Sequence, residues 1–281
     1  MSFLDRIAAA NQHDPAQFRP FEVAGIAVGC VKPAFAATLA RFPEVFAVAE
    51  DRVTLDPGLD TFEARTAAVD GVLRQLHGEG GIDGWRDEPY PVNRSFPEPA
   101  LFNIERAAVP YFGIPGYGVH MNGYVRDGDT LMLWVATRSR FKPTGPGKLD
   151  QLVAGGQPAG IGLTENLVKE CAEEASIPAD LAARAVAVGA ISYKLETPVG
   201  YRPDVIFNYD LELPADFAPV NTDGEIESFA LWPIEQVVET VRDTDAYKFN
   251  CALVVIDFLI RHGIIPPDHP DYVDIIRGLS L

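Results

Sequence analysis

The chain has 281 residues, with length and apolar content enough for one large or two small hydrophobic cores. Its formal charge of −17 excludes nonspecific binding to nucleic acid or to an anionic membrane surface, since both need a clustered basic face. A small anionic ligand stays compatible, provided that a bound cation or a few local Arg and Lys residues offset the general repulsion.

The opening MSFLDRIAAANQHD carries acids and a helical rhythm, unlike the basic, apolar start of a signal peptide. SFLDRIAAAN and KPAFAATLARFP have helical apolar spacing, and DTFEARTAAVDGVLRQLHGEG predicts a longer amphipathic helix ending in glycines. These elements predict a small N-terminal α+β module. A Pro- and Gly-rich stretch with scattered aromatics follows, and the pattern changes near residue 114, which predicts domains at 1–113 and 114–281.

From there YGVHMNGYVRDGDTLMLWVATRS predicts two strands joined at Asp127-Gly128, a dipeptide that tolerates positive φ in a tight hairpin. PTGPGKLDQLVAGGQPAG reads as loop and TENLVKECAEEA as helix; AVAVGAISYKLET and RPDVIFNYDLELP read as strands, PIEQVVETVRD and CALVVIDFLIRHG as helices. That order predicts an α+β fold, a mixed sheet between helices in an α/β/α sandwich. The apolar run at 251–260 is too short to span a bilayer and is broken by Asp257, which the spacing pairs with Arg261. Cys30, Cys171 and Cys251 stand far apart in no metal-ligand spacing, which suits a reducing, cytoplasmic compartment.

The segment AGGQPAGIGLTENLVKECAEEASIP concentrates the chemistry. Glu170, Glu173 and Glu174 lie three and four residues apart, so a helix brings them to one face. Their mutual repulsion destabilises the helix unless a cation such as Mg²⁺ or Mn²⁺, which prefers oxygen ligands, offsets it. A solvated acidic face is the bland alternative, but such a helix has no need of the glycine-rich loop that precedes this one.

This stretch resembles the Nudix box, G-x5-E-x7-R-E-U-x-E-E-x-G-U, where U is bulky and apolar. From Gly155 the spacing is met; Glu170, Cys171, Glu173, Glu174 and Ile177 match, whereas Ile161, Lys169 and Ser176 stand where Glu, Arg and Gly are usual. Glu165, four residues before Lys169, offers a replacement brace between loop and helix. The likeness extends through LFNIERAAVPYFGIPGYGVHMNGYV, WVATRSRFKPTGPGKLDQLVAGG, YDLELPADFAPVNTDGEIESFALWPIEQV and YKFNCALVVIDFLIRHGIIPPDHPDYVDII. Over nearly the whole chain it is similar to the thiamine-pyrophosphokinase-related Nudix hydrolases, in which the position of Ile161 is characteristically not Glu.

The resemblance implies a Nudix fold preceded by an extra domain, and hydrolysis of a small-molecule diphosphate, in particular oxo- or oxythiamine diphosphate. It implies Mg²⁺ or Mn²⁺ held by Glu170, Glu173, Glu174 and the Gly155 carbonyl, and a box Glu or a Glu on a later loop as the proton acceptor. Glu225, after Asp223-Gly224 and before a predicted strand, is the later candidate, with Glu227 near it. Arg138 and Lys142 are candidate phosphate ligands, as cations at a strand end. Trp85, Tyr111, Phe112 and Tyr117 are candidates either for stacking on a heterocycle or for the core, while His120 and His262 have no partner that suggests catalysis. Other readings stay open: another nucleoside diphosphate derivative such as ADP-ribose as substrate, or a ligand-binding module without catalysis. Nudix proteins are often dimers, so a homodimer is the assembly the resemblance allows.

Overall fold

Buried apolar side chains sort into three clusters, and their membership sets the architecture. In this computed structural model, which describes residues 1–128, 130–142 and 144–280, the first cluster is drawn from residues between Phe21 and Ile114. It lies between a four-stranded sheet (Arg19–Val23, Ile26–Val31, Phe46–Val48, Val53–Leu55) and the helix Phe62–Gly78. That helix buries Val69, Val72, Leu73 and Leu76, the spacing of one helical stripe. Thr61 caps its start by accepting from the Ala64 N–H at 3.1 Å, and glycines follow its end, as its sequence predicts. The Pro-rich stretch after it contains an antiparallel pair, Pro89–Val92 with Phe102–Glu105.

The remaining two clusters cover opposite faces of a mixed seven-stranded sheet, so the α/β/α sandwich is present. At its centre Tyr117–Asp127 runs parallel to Val205–Glu212 and antiparallel to Thr130–Arg138 and Val153–Gly156. Gly128 takes the positive φ, 58°, expected at the turn after Asp127. Val119, Met121 and Val125 face the helix Leu163–Ala175, while Leu131, Leu133 and Val135 face Phe249–Arg261. Each such side chain, fully buried, contributes roughly 1.5–3 kcal/mol. Among the described residues no helix is long and apolar enough to cross a membrane.

Two expectations need correction. The stretch read as loop before the carboxylate helix contains the strands Leu149–Asp150 and Val153–Gly156; Pro143 of that stretch lies outside the described residues. Gly155 and Gly156 carry no apolar alternation, and the strand exists because Tyr117–Asp127 offers a free edge to pair with. The first helix, Phe3–Ala10, was expected in the N-terminal module, yet Phe3, Ile7 and Ala10 pack in the cluster around Phe249–Arg261.

Candidate functional site

The carboxylate helix Leu163–Ala175 starts where its glycine loop ends and stops at Ser176, whose φ of 53° is left-handed. The glycine usual at this position of the box takes that conformation without strain. Here Ser176 holds it while its hydroxyl donates to the Val220 carbonyl at 2.8 Å.

Glu174 is only 4% exposed and accepts the Ala154 N–H at 2.7 Å. Burial pushes its carboxyl well above the ordinary range, and the charges of Asp150 and Glu170 push the same way. Glu170 is raised as well, chiefly by burial, with Lys169 opposing. Its carboxyl lies against Gly155: a Cβ there would sit 2.3 Å from the Glu170 carboxyl carbon, so only glycine admits the carboxylate over the strand end. Glu173 is half-exposed and pairs with Lys169 at 2.8 Å.

A second segment closes on the helix end from far along the chain. Thr222 donates its hydroxyl to the Glu173 carbonyl at 2.7 Å, and the Val220 N–H donates to the Ala175 carbonyl. Within the turn the Asp223 carboxylate accepts the Glu225 N–H at 2.8 Å, and Gly224 takes a φ of 77°. Carboxylate oxygens of Glu174, Asp223 and Glu225 thereby come within 4.8 Å of one another. Burial alone would raise the Glu225 carboxyl, but a hydrogen bond and the charge from Lys142, with Arg106 and Arg86 behind it, hold it below the usual range.

These residues fit a hard divalent cation. Three converging carboxylates supply the oxygen donors that Mg²⁺ or Mn²⁺ prefers. One of them, Glu174, is buried and, among the described residues, its carboxylate accepts one hydrogen bond, from the Ala154 backbone.

Several predicted roles change. Glu165 is exposed and does not brace Lys169, whose ammonium turns to Glu170 at 3.1 Å and to Glu173. The loop is tied instead by two buried amides: Asn166 donates to the Gly156 carbonyl at 2.7 Å and to Gln157 at 3.1 Å, and Gln157 donates to the Ile161 carbonyl at 2.6 Å. Arg138 is not free for phosphate: it is buried, ion-paired with Asp150, and donates to the carbonyls of Thr144 and Gly145. Lys142 is bound to Glu225 and so belongs to the carboxylate cluster. Phe112 is wholly buried among Phe21, Phe35 and Phe46, Tyr111 packs on Phe35, Tyr117 lies beside Phe96, and Trp85 stacks on His77. Asp223 escaped notice because a D-G pair reads as turn chemistry, although its place two residues before Glu225 was the available signal.

A different acidic centre lies buried between the sheet and Phe249–Arg261. Asp150 accepts from Arg138, from the Gln151 N–H at 2.9 Å and from the Cys251 thiol at 2.8 Å, and His120 bonds Gln151 at 2.7 Å. Although His120, Asp150 and Cys251 converge, the carboxylate is saturated by these partners. The group reads as a closed structural network. Arg261 makes the expected pair with Asp257 at 2.8 Å and also grips Asp210, which accepts from His262 at 3.0 Å.

Comparison with known proteins adds an independent line. A family model described as "Domain of unknown function (DUF4743)" matches residues 2–116. Nudix hydrolase 24, chloroplastic, from Arabidopsis thaliana is 48% identical over 281 aligned positions, covering 99% of this chain and 77% of that protein. Nudix hydrolase 20, chloroplastic, of the same plant is also 48% identical, with the same coverage. Among solved structures, the NUDIX domain of Shewanella oneidensis NrtR complexed with ADP ribose aligns over 54% of this chain and 90% of that one, at 13% identity and a TM-score of 0.43.

Proposed function

The chain belongs to the Nudix hydrolase family, and from that premise we propose that it is a Mg²⁺- or Mn²⁺-dependent pyrophosphohydrolase of thiamine diphosphate analogues, the oxo and oxy forms, yielding a monophosphate and inorganic phosphate. The observation that carries the diphosphate chemistry is the convergence of Glu174, Asp223 and Glu225 beside Glu170 and Gly155. The substrate reading is supported by the resemblance over nearly the whole chain, including Ile161 at the box position where Glu is usual.

In this reading Glu170, Glu174, Asp223 and the Gly155 carbonyl hold the cation, with Glu173 at its outer edge and Glu225 beside it. When bound, the cation offsets the charge of the diphosphate and lowers the pKa of a coordinated water. Glu225, on the later loop and beside Lys142, is the group that accepts a proton at its carboxylate. Burial of Glu174 keeps that charge poorly solvated, which strengthens its attraction for a cation. We place the enzyme in a reducing compartment such as the cytoplasm, since Cys30, Cys171 and Cys251 are all free thiols.

Phosphate release is measured from oxothiamine diphosphate and from ADP-ribose with Mg²⁺ under matched conditions. Faster release from the thiamine analogue is expected; the reverse order rejects that substrate class.

A further inference from the structure

The cations nearest the carboxylates are already engaged. Lys142 holds Glu225, Lys169 holds Glu170 and Glu173, and Arg138 is buried on Asp150. An anionic diphosphate approaching a chain of net charge −17 needs other positive groups. They come from the segment before the hydrolase sheet.

The antiparallel pair Pro89–Val92 and Phe102–Glu105 is docked on the box loop: the Ala159 N–H donates to the Pro89 carbonyl at 2.8 Å. Consecutive glycines of that loop receive groups from different parts of the chain. Gly155 accommodates the Glu170 carboxylate, while a Cβ on Gly156 would lie 1.7 Å from the Tyr90 hydroxyl oxygen and 3.5 Å from the Arg106 guanidinium carbon. Any side chain at Gly156 would therefore push this pair off the loop. Arg106 spends one N–H on Glu88 at 2.7 Å and lies over the Tyr90 ring, yet its side chain is 47% exposed. Its remaining N–H groups have no hydrogen-bond partner among the described residues. Arg86 is anchored through its backbone N–H to Glu105 at 2.9 Å, and its guanidinium has no hydrogen bond or ion pair among the described residues. The Glu105 carboxylate that accepts the Arg86 N–H also accepts the Ala107 N–H at 3.1 Å, which sets Arg86 and Arg106 around one anchor.

We propose that Arg106, assisted by Arg86, is the phosphate anchor of the hydrolase site, so that the N-terminal segment supplies the cationic wall of a cleft whose other wall is the carboxylate cluster. The inference rests on the diphosphate chemistry above and not on the thiamine moiety. A guanidinium with free N–H groups suits phosphate because its planar fork presents two parallel N–H donors in a fixed geometry, whereas an ammonium acts as a point charge. Tyr90 is a positioning residue, holding the guanidinium against Gly156.

The test uses the full chain and inorganic pyrophosphate as probe. Calorimetric binding in Mg²⁺ is compared for wild type, Arg106→Ala, Arg106→Lys and Arg86→Ala, alongside kcat and KM for whichever diphosphate is turned over fastest. Losing charge-assisted bonds predicts that Arg106→Ala weakens pyrophosphate binding about tenfold or more. KM should rise in parallel and kcat move less, with Arg106→Lys recovering part of the loss and Arg86→Ala weakening binding about threefold. Should Arg106→Ala prove misfolded, Arg86→Ala and Arg106→Lys decide, since the Arg86 side chain has no partner among the described residues and Lys keeps the charge. Pyrophosphate affinity within twofold of wild type in the folded variants overturns the proposal. Failure to cleave thiamine analogues would reject that substrate while leaving the pyrophosphate result to stand on its own.

Discussion

Glu174 and Asp150 are both almost wholly buried carboxylates, yet their surroundings treat them in opposite ways. Asp150, 2% exposed, is met by Arg138, the Gln151 N–H and the Cys251 thiol. Burial alone would raise it, but the charges of Lys248, His120 and Arg138 bring it down to about 2. Glu174, 4% exposed, accepts one backbone hydrogen bond among the described residues, and burial, with the charges of Asp150 and Glu170 outweighing that of Lys142, pushes it up. The first carboxylate is closed and holds the sheet to a helix. The second is left underbalanced, which is the setting the proposed cation site calls for.

The sharpest break of this contrast is Glu174→Gln. Losing a ligand worth several kcal/mol of charge stabilisation should reduce Mg²⁺-dependent turnover by about a thousandfold or more. The melting temperature should not fall, because a poorly solvated buried charge is removed; activity above a tenth of wild type would sink the metal-site reading. The opposite substitution, Asp150→Asn, leaves Arg138 buried without its counter-charge and should lower stability by about 3–5 kcal/mol in chemical denaturation. A loss below about 1 kcal/mol would show that the network is not what secures this layer.

At the loop, Asn166→Ala strips the Gly156 carbonyl and Gln157 of their donor and should lower stability by about 1–3 kcal/mol. The acid limb gives a related measurement. A carboxyl depressed in the folded state contributes stability that is fully present above its unfolded pKa, about 4, and is lost as pH falls toward about 2. Unfolding followed between pH 5 and 2 should therefore be shallower in Asp150→Asn than in wild type, by on the order of 2 kcal/mol. The smallest effect belongs to Glu165→Ala, expected within about 0.5 kcal/mol of wild type because the residue is exposed and outside the tie. A larger loss there than in Asn166→Ala would restore the Glu165–Lys169 brace.

The extent to which the site was legible follows from how far apart its parts lie. Glu170, Glu173 and Glu174 were readable together because a helix repeats every 3.6 residues, and Ser176 could be recognised as a departure because the box spacing is local. The turn at Asp127-Gly128 and the stripe of Phe62–Gly78 were legible for the same reason. Lys169 was legible as a cation beside the box but not in its choice of partner, since Glu165, Glu170 and Glu173 all stand within four residues of it and only side-chain geometry separates them. Arg138 at a strand end reads as a phosphate ligand, and its burial depends on Asp150 reaching it from a strand that exists only through pairing.

From sequence alone, then, came the carboxylate helix, its glycine loop, the mixed sheet between helices and the resemblance to one family, all of them carried by local period and spacing. Only the tertiary structure decided that Asp223 and Glu225 meet Glu174 across some fifty residues, that the first helix packs on the last layer, and that Tyr90 and Arg106 rest on Gly156. Neighbouring residues dictate backbone repeat, whereas contacts between distant segments are set by which apolar faces bury together.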